Sequence, residues 1–122
     1  MIQIFLDKKI KQSLISKSMR TLAHIGIPQK SKPANGIYLE DAKLYITDPA
    51  ESKNNIEFLY FEEECQMPEI VKTSTHIAYV VDEIDAELKD AEIIIPPFMP
   101  LPTVKAAFIL EDGLPIELMQ NL

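Results

Sequence analysis

The sequence predicts an α+β protein in which two modules repeat one plan behind an N-terminal helix. Three observations carry this expectation. Ala23-His24-Ile25-Gly26-Ile27 is followed by Asn55-Ile56-Glu57-Phe58-Leu59, and Thr75-His76-Ile77-Ala78-Tyr79 is followed by Pro115-Ile116-Glu117-Leu118-Met119. Each half thus places a histidine near the start of one strand-like run and a glutamate near the start of another. Turn signals at Asn35-Gly36, Asp48-Pro49 and Asp112-Gly113 cut the chain into short runs rich in β-branched and aromatic residues. Helical spacing is confined to two stretches, Lys8 to Met19 and Glu83 to Lys89.

In order along the chain, Ile4, Ile10, Leu14, Ile15 and Met19 recur at near-helical spacing among lysines and serines. This predicts a helix over Lys8 to Met19 within an extension of residues 1–20. Leu22 to Pro28 is a short strand stopped by its proline and the polar run Gln29 to Lys32. After the Asn35-Gly36 turn, Ile37 to Leu39 and Lys43 to Thr47 form two strands joined at Glu40-Asp41, and Ile56 to Glu62 forms a fourth. These make module one, residues 21–63.

Residues 64–74, with Met67-Pro68 at their centre, are the unpatterned connector. Module two, residues 75–122, opens on the strand Thr75 to Val81. Asp82 is placed to cap the helix Glu83 to Lys89, because its carboxylate can accept hydrogen bonds from first-turn amides. Glu92 to Ile95 is a strand expected to end at Pro96-Pro97, leaving Phe98 to Pro102 as a loop. Val104 to Leu110 and Leu114 to Gln120 flank Asp112-Gly113 as a hairpin. Module two therefore has the order β-α-β-β-β. Module one lacks the helix, which explains why 33 residues separate His24 from Glu57 and 41 separate His76 from Glu117. The N-terminal helix is expected to cover the sheet face that this omission exposes.

A chain of 122 residues is long enough to bury one core, so a single domain over 1–122 is expected. No run is long and apolar enough to span a bilayer, and Met1 to Asp7 is too short and too soon charged for a secretory signal, so a cytoplasmic location and no membrane partner are expected. Cys65 is the one cysteine; it is a free thiol in a loop, with no local His–Asp arrangement to activate it. The formal charge of −7 opposes a phosphate backbone, so nucleic acid is excluded as a partner. The lysines before Arg20 are read as the solvated face of a helix, and Glu62-Glu63-Glu64 as a solvated edge rather than a cation site. Three glycines leave no phosphate-cradling loop.

Two imidazoles and two carboxylates are a ligand set for a divalent cation. Any one of the four alone is better explained as a hydrogen-bonded core histidine or a solvated glutamate, and the repetition of the pair in both halves favours the metal. Strand alternation puts His76 on one face with Ala78 and Val80, Glu57 with Leu59 and Phe61, and Glu117 with Met119. Gly26 and Ala78 leave room beside them. Tyr45 and Phe108 are best assigned to core filling. Phe98, Met99 and Leu101 are equally suited to packing and to lying over an apolar ligand.

The run Thr75-His76-Ile77-Ala78-Tyr79-Val80-Val81-Asp82, its helix, then Ala107-Phe108-Ile109 and Asp112-Gly113-Leu114-Pro115-Ile116-Glu117-Leu118-Met119 resembles the C-terminal module of the vicinal oxygen chelate superfamily. That superfamily includes glyoxalase I, methylmalonyl-CoA epimerase, extradiol dioxygenases and bleomycin-resistance proteins. The resemblance extends over 75–120 and, more weakly, over 22–62. It implies paired βαβββ modules curling into an open, glyoxalase-like cup of mixed sheet. It further implies a divalent metal, Ni, Zn, Mn, Co or Fe, held by His24, Glu57, His76 and Glu117. The activity implied is a metal-dependent lyase or isomerase acting on a small oxygen-chelating substrate by proton abstraction and enolate stabilisation, with Glu117 and then Glu57 as catalytic base. The alternative within the same resemblance is a non-enzymatic small-molecule-binding protein. The site is built either within one chain or across a homodimer.

Overall fold

The computed structural model describes residues 19–122; the helix expected over Lys8 to Met19, and the cover it was to provide, lie outside the described residues but for Met19. Eight strands form one mixed sheet: β1 (Arg20–Pro28), β2 (Ile37–Leu39), β3 (Leu44–Ile46), β4 (Ile56–Phe61), β5 (His76–Val81), β6 (Glu92–Leu101), β7 (Val104–Glu111) and β8 (Leu114–Asn121). Their spatial order is β2-β3-β4-β1-β5-β8-β7-β6. The two halves follow the same rule. β1 pairs parallel with β4 and β5 pairs parallel with β8, while the outer strands of each half are antiparallel. The antiparallel pair β1–β5 joins the halves, so the two four-stranded units are one continuous sheet. It is the α+β, open half-barrel arrangement that the repeated plan predicts.

Local chemistry explains most boundaries. Asp112 and Gly113 both take positive φ, 52° and 76°, the twist a two-residue hairpin needs between right-twisted strands. Asp48 Oδ1 accepts from Ala50 N at 2.9 Å and starts a 3-10 turn over Pro49–Glu51. No helix occurs between β1 and β2, and a turn closed by Gly36 N donating to Pro33 O connects them instead.

Three expectations need correction. β6 does not stop at Pro96-Pro97; it runs to Leu101 with register shifts between Ile93 and Ile95, Ile95 and Phe98, and Phe98 and Leu101. β6 is the sheet's edge, and Pro96-Pro97 fall within the register shift between Ile95 and Phe98, where the ladder is already interrupted. The connector contains a short helix, α1 (Glu69–Thr73), which begins after Pro68 without a side-chain cap. Asp82 does not cap the module-two helix, α2 (Ile84–Leu88). Glu83 holds the cap position without a side-chain bond, and Ile84 N donates instead to Gln120 Oε1 of β8 at 2.8 Å.

Burial divides between the two faces. Ile84 and Leu88 of α2 pack with Val81, Ala107, Ile109, Ile116 and Leu118 on one face of module two. Alternation turns His76, Ala78 and Glu117 to the other, which we call the site face. On the site face of module one, Leu44 and Leu59 pack with Cys65, folded over them by the connector. Cys65 is buried and free. Arg20 ties the halves together on the α2 side, donating through Nε to Glu87 at 2.7 Å and bidentately to Glu111 at 2.8 and 3.0 Å.

Candidate metal centre

The site lies where the two modules join. His24 comes from β1, His76 from β5, Glu57 from β4 and Glu117 from β8, the four central strands of the sheet. The register sets the donors close together. Gly26 is the partner of both Glu57 and His76, and Ala78 is the partner of both His24 and Glu117. A register irregularity between Leu22 and His24 marks a bulge, a device that re-aims the side chain following it.

The four side chains converge. His24 Nε2 lies 3.4 Å from Glu57 Oε1 and 3.4 Å from Glu117 Oε1. His76 Nε2 lies 3.7 Å from Glu57 Oε1 and 3.2 Å from Glu117 Oε1. The imidazole rings stand nearly perpendicular, with centroids 5.5 Å apart. Both histidines are buried, 8% and 1% exposed, which makes their hydrogen bonding decisive.

That bonding is incomplete. His24 Nε2, His76 Nε2 and His76 Nδ1 are buried with no hydrogen-bond partner among the described residues. The two Nε2 atoms sit within ion-pair distance of the carboxylates without being aligned to donate to them, so charge attraction rather than a directed hydrogen bond connects them. A buried polar group without a partner costs free energy and calls for an explanation. A cation among the Nε2 and Oε1 atoms supplies one. Donors at about 2.1 Å from a common ion stand about 3.0 to 3.4 Å apart in octahedral or tetrahedral arrangements, close to the separations found. His24, Glu57 and His76 offer ligand atoms all within 4.8 Å of one another, and Glu117 Oε1 joins them through both histidines. His24, Glu57 and His76 therefore fit a divalent ion, and Glu117 stands beside both histidines.

Electrostatics agree with this fit. Burial works to lower the His24 pKa, but the Glu117 and Glu57 carboxylates outweigh it and raise the group from 6.5 to about 9. Burial works to raise the Glu117 pKa, but His24 and His76 outweigh it and lower the group from 4.5 to about 2. Two partly buried carboxylates thus draw positive charge into the centre, by proton or by metal.

Sequence reasoning assigned the wrong use to one neighbour. Gly26 does not leave empty room, because the His76 ring fills the space beside it. Phe108 is on the site face, its ring edge-on to His76 at 5.5 Å, whereas Tyr45 is on the opposite face between Tyr38 and Tyr60. Strand parity was the available signal for both. A separate groove of about 820 Å³ opens where the two ends of the strand order approach each other. Leu39 and Leu44 line one wall, and Ile95, Phe98 and Met99 line the other, with Glu40, Asp41 and Glu64 among its polar groups. Its lining includes none of the four converging side chains.

No family model matches the chain, and no curated protein matches it in sequence. Among solved structures, it is similar to a hypothetical protein from Bacillus halodurans C-125, with TM-score 0.60 and 16% identity over 86% of this chain and 96% of that one. It is similar also to methylmalonyl-CoA epimerase from Mycobacterium tuberculosis, with TM-score 0.59 and 16% identity over 88% of this chain and 92% of that one. At this identity the likeness is one of fold, and the fold is the glyoxalase-like cup.

Proposed function

We propose that the protein is a metal-dependent lyase or isomerase of the vicinal oxygen chelate type, acting on a small substrate with two adjacent oxygens. The observation that carries this reading is the convergence of His24, Glu57, His76 and Glu117 around buried nitrogens that lack hydrogen-bond partners among the described residues. A divalent ion held by these side chains would supply Lewis acidity to the paired oxygens and balance the negative charge that develops when a neighbouring C–H loses its proton. In holding the ion, the two imidazoles would act as neutral donors. Their burial excludes water and strengthens every charge interaction in the centre. Glu117 Oε1 is the first candidate to accept the substrate proton and Glu57 Oε1 the second, since a carboxylate that leaves the ligand set becomes free to act as base.

The separate groove between the two ends of the strand order bears on the substrate. It is mostly apolar, its acidic residues outnumber its one lysine, Lys43, and the chain carries −7 overall. These features suit an uncharged, apolar substrate body better than a polyphosphate such as that of a coenzyme A thioester. The groove also favours a second reading, a non-enzymatic protein that sequesters such a molecule, because its lining stands apart from the four donors.

Thermal unfolding with and without metal separates the two. The enzyme reading expects zinc, nickel, manganese or cobalt to raise the melting midpoint of the wild-type protein and not that of Glu117→Ala, because a ligand that binds only the native state stabilises it. No shift with any of the four ions would leave sequestration as the surviving reading.

A further inference from the structure

We propose that Gly26 is a positioning residue for His76, serving as a steric template where other ligating histidines use a hydrogen bond. The steric part stands on its own, and its consequence for metal affinity rests on the proposed metal centre. Gly26 and His76 are direct partners in the β1–β5 pair. A Cβ at position 26 would lie 2.0 Å from His76 Cε1, 2.4 Å from Nδ1 and 2.5 Å from Nε2. No side chain fits at such distances. The imidazole therefore occupies the space that any residue other than glycine would need. An aromatic ring laid across a strand glycine is also a known way to cover the backbone that the glycine exposes.

The remaining contacts confine the ring further. Phe108 meets it edge-on at 79° and His24 at 78°, each with centroids 5.5 Å away. His76 is 1% exposed, so protein encloses the ring. Its Nδ1 has no acceptor among the described residues. A ligating histidine ordinarily donates that N–H to a carboxylate or carbonyl, which fixes the ring's orientation and tautomer. Here the glycine backbone and the Phe108 edge hold Nε2 toward Glu117 and Glu57, at 3.2 and 3.7 Å.

The test combines calorimetric zinc titration with metal-free thermal melting on wild type, Gly26→Ala, His76→Ala and the double variant. Gly26→Ala should lower zinc affinity by about tenfold to hundredfold, the range found when an orienting partner is removed. Metal-free Gly26→Ala should melt below wild type, whereas in the His76→Ala background the same change should cost little, since the clash is gone. A Gly26→Ala protein that does not fold should be rescued by His76→Ala. The proposal is overturned by unchanged zinc affinity in Gly26→Ala, by equal melting losses in both backgrounds, or by a double variant that does not fold. If wild type binds no metal, the metal-site reading fails, while the melting comparison still decides the steric coupling.

Discussion

His24 and His76 meet edge-on across the strand pair that joins the two modules, with ring centroids 5.5 Å apart and an interplanar angle of 78°. Neither module holds a complete set of donors. Each contributes one histidine and one glutamate, and only the β1–β5 pairing brings the Nε2 atoms to the same two carboxylates.

This geometry makes metal-free stability depend on pH at both ends. The His24 pKa, raised from 6.5 to about 9, contributes stability that is fully present below pH 6.5 and lost as pH rises through 9. The Glu117 pKa, lowered from 4.5 to about 2, contributes stability present above pH 4.5 and lost as pH falls through 2. Both express the same attraction between imidazole and carboxylate. Urea unfolding of metal-free protein should show a midpoint that declines between pH 6.5 and 9, and His24→Ala should flatten that decline.

Metal binding should respond to pH in the opposite sense. A ligating imidazole must be neutral, so below pH 9 binding displaces a proton from His24. Zinc affinity should rise from pH 6 to pH 8, with proton release that calorimetry in buffers of different ionisation enthalpy measures. Affinity independent of pH would mean that His24 is not a ligand.

The Arg20 contacts should matter to stability and not to metal. Glu87 and Glu111 hold the guanidinium at 2.7 to 3.0 Å, with Arg20 half-buried and its pKa raised by both carboxylates despite partial burial. Because the Glu111 side chain is 40% exposed, its share is partly screened, and Arg20→Met should cost about 1–2 kcal/mol in denaturant unfolding. Zinc affinity should stay at the wild-type value.

Removing the cap on α2 should be felt locally. Gln120→Leu deletes the acceptor for Ile84 N, and losing a helix-capping bond costs about 0.5–2 kcal/mol. Amide exchange should quicken over 84–88 more than in β7 and β8.

These residues also show how far the sequence could be read. The Ile37–Leu39 strand, the Asp112-Gly113 hairpin and the helix near 84–88 were legible because turn chemistry and side-chain period act locally. The repeated His and Glu positions predicted a meeting of four residues, and the sheet order brings all four side chains together. What was hidden depended on partners distant in sequence. Gln120 takes the capping role that Asp82 would have had, from a strand that no local rule connects to that helix. Pro96 and Pro97 stop a central strand but not an edge, and edge position is a property of the whole sheet. Gly26 looked like open space, because its cross-strand partner was not visible in the sequence.

The most direct test of the central claim is an anomalous-scattering map from crystals equilibrated with zinc or nickel. The account predicts one strong peak about 2.0–2.2 Å from Nε2 of His24, Nε2 of His76 and an oxygen of each of Glu57 and Glu117. A map at saturating metal with no peak among these four side chains would contradict it.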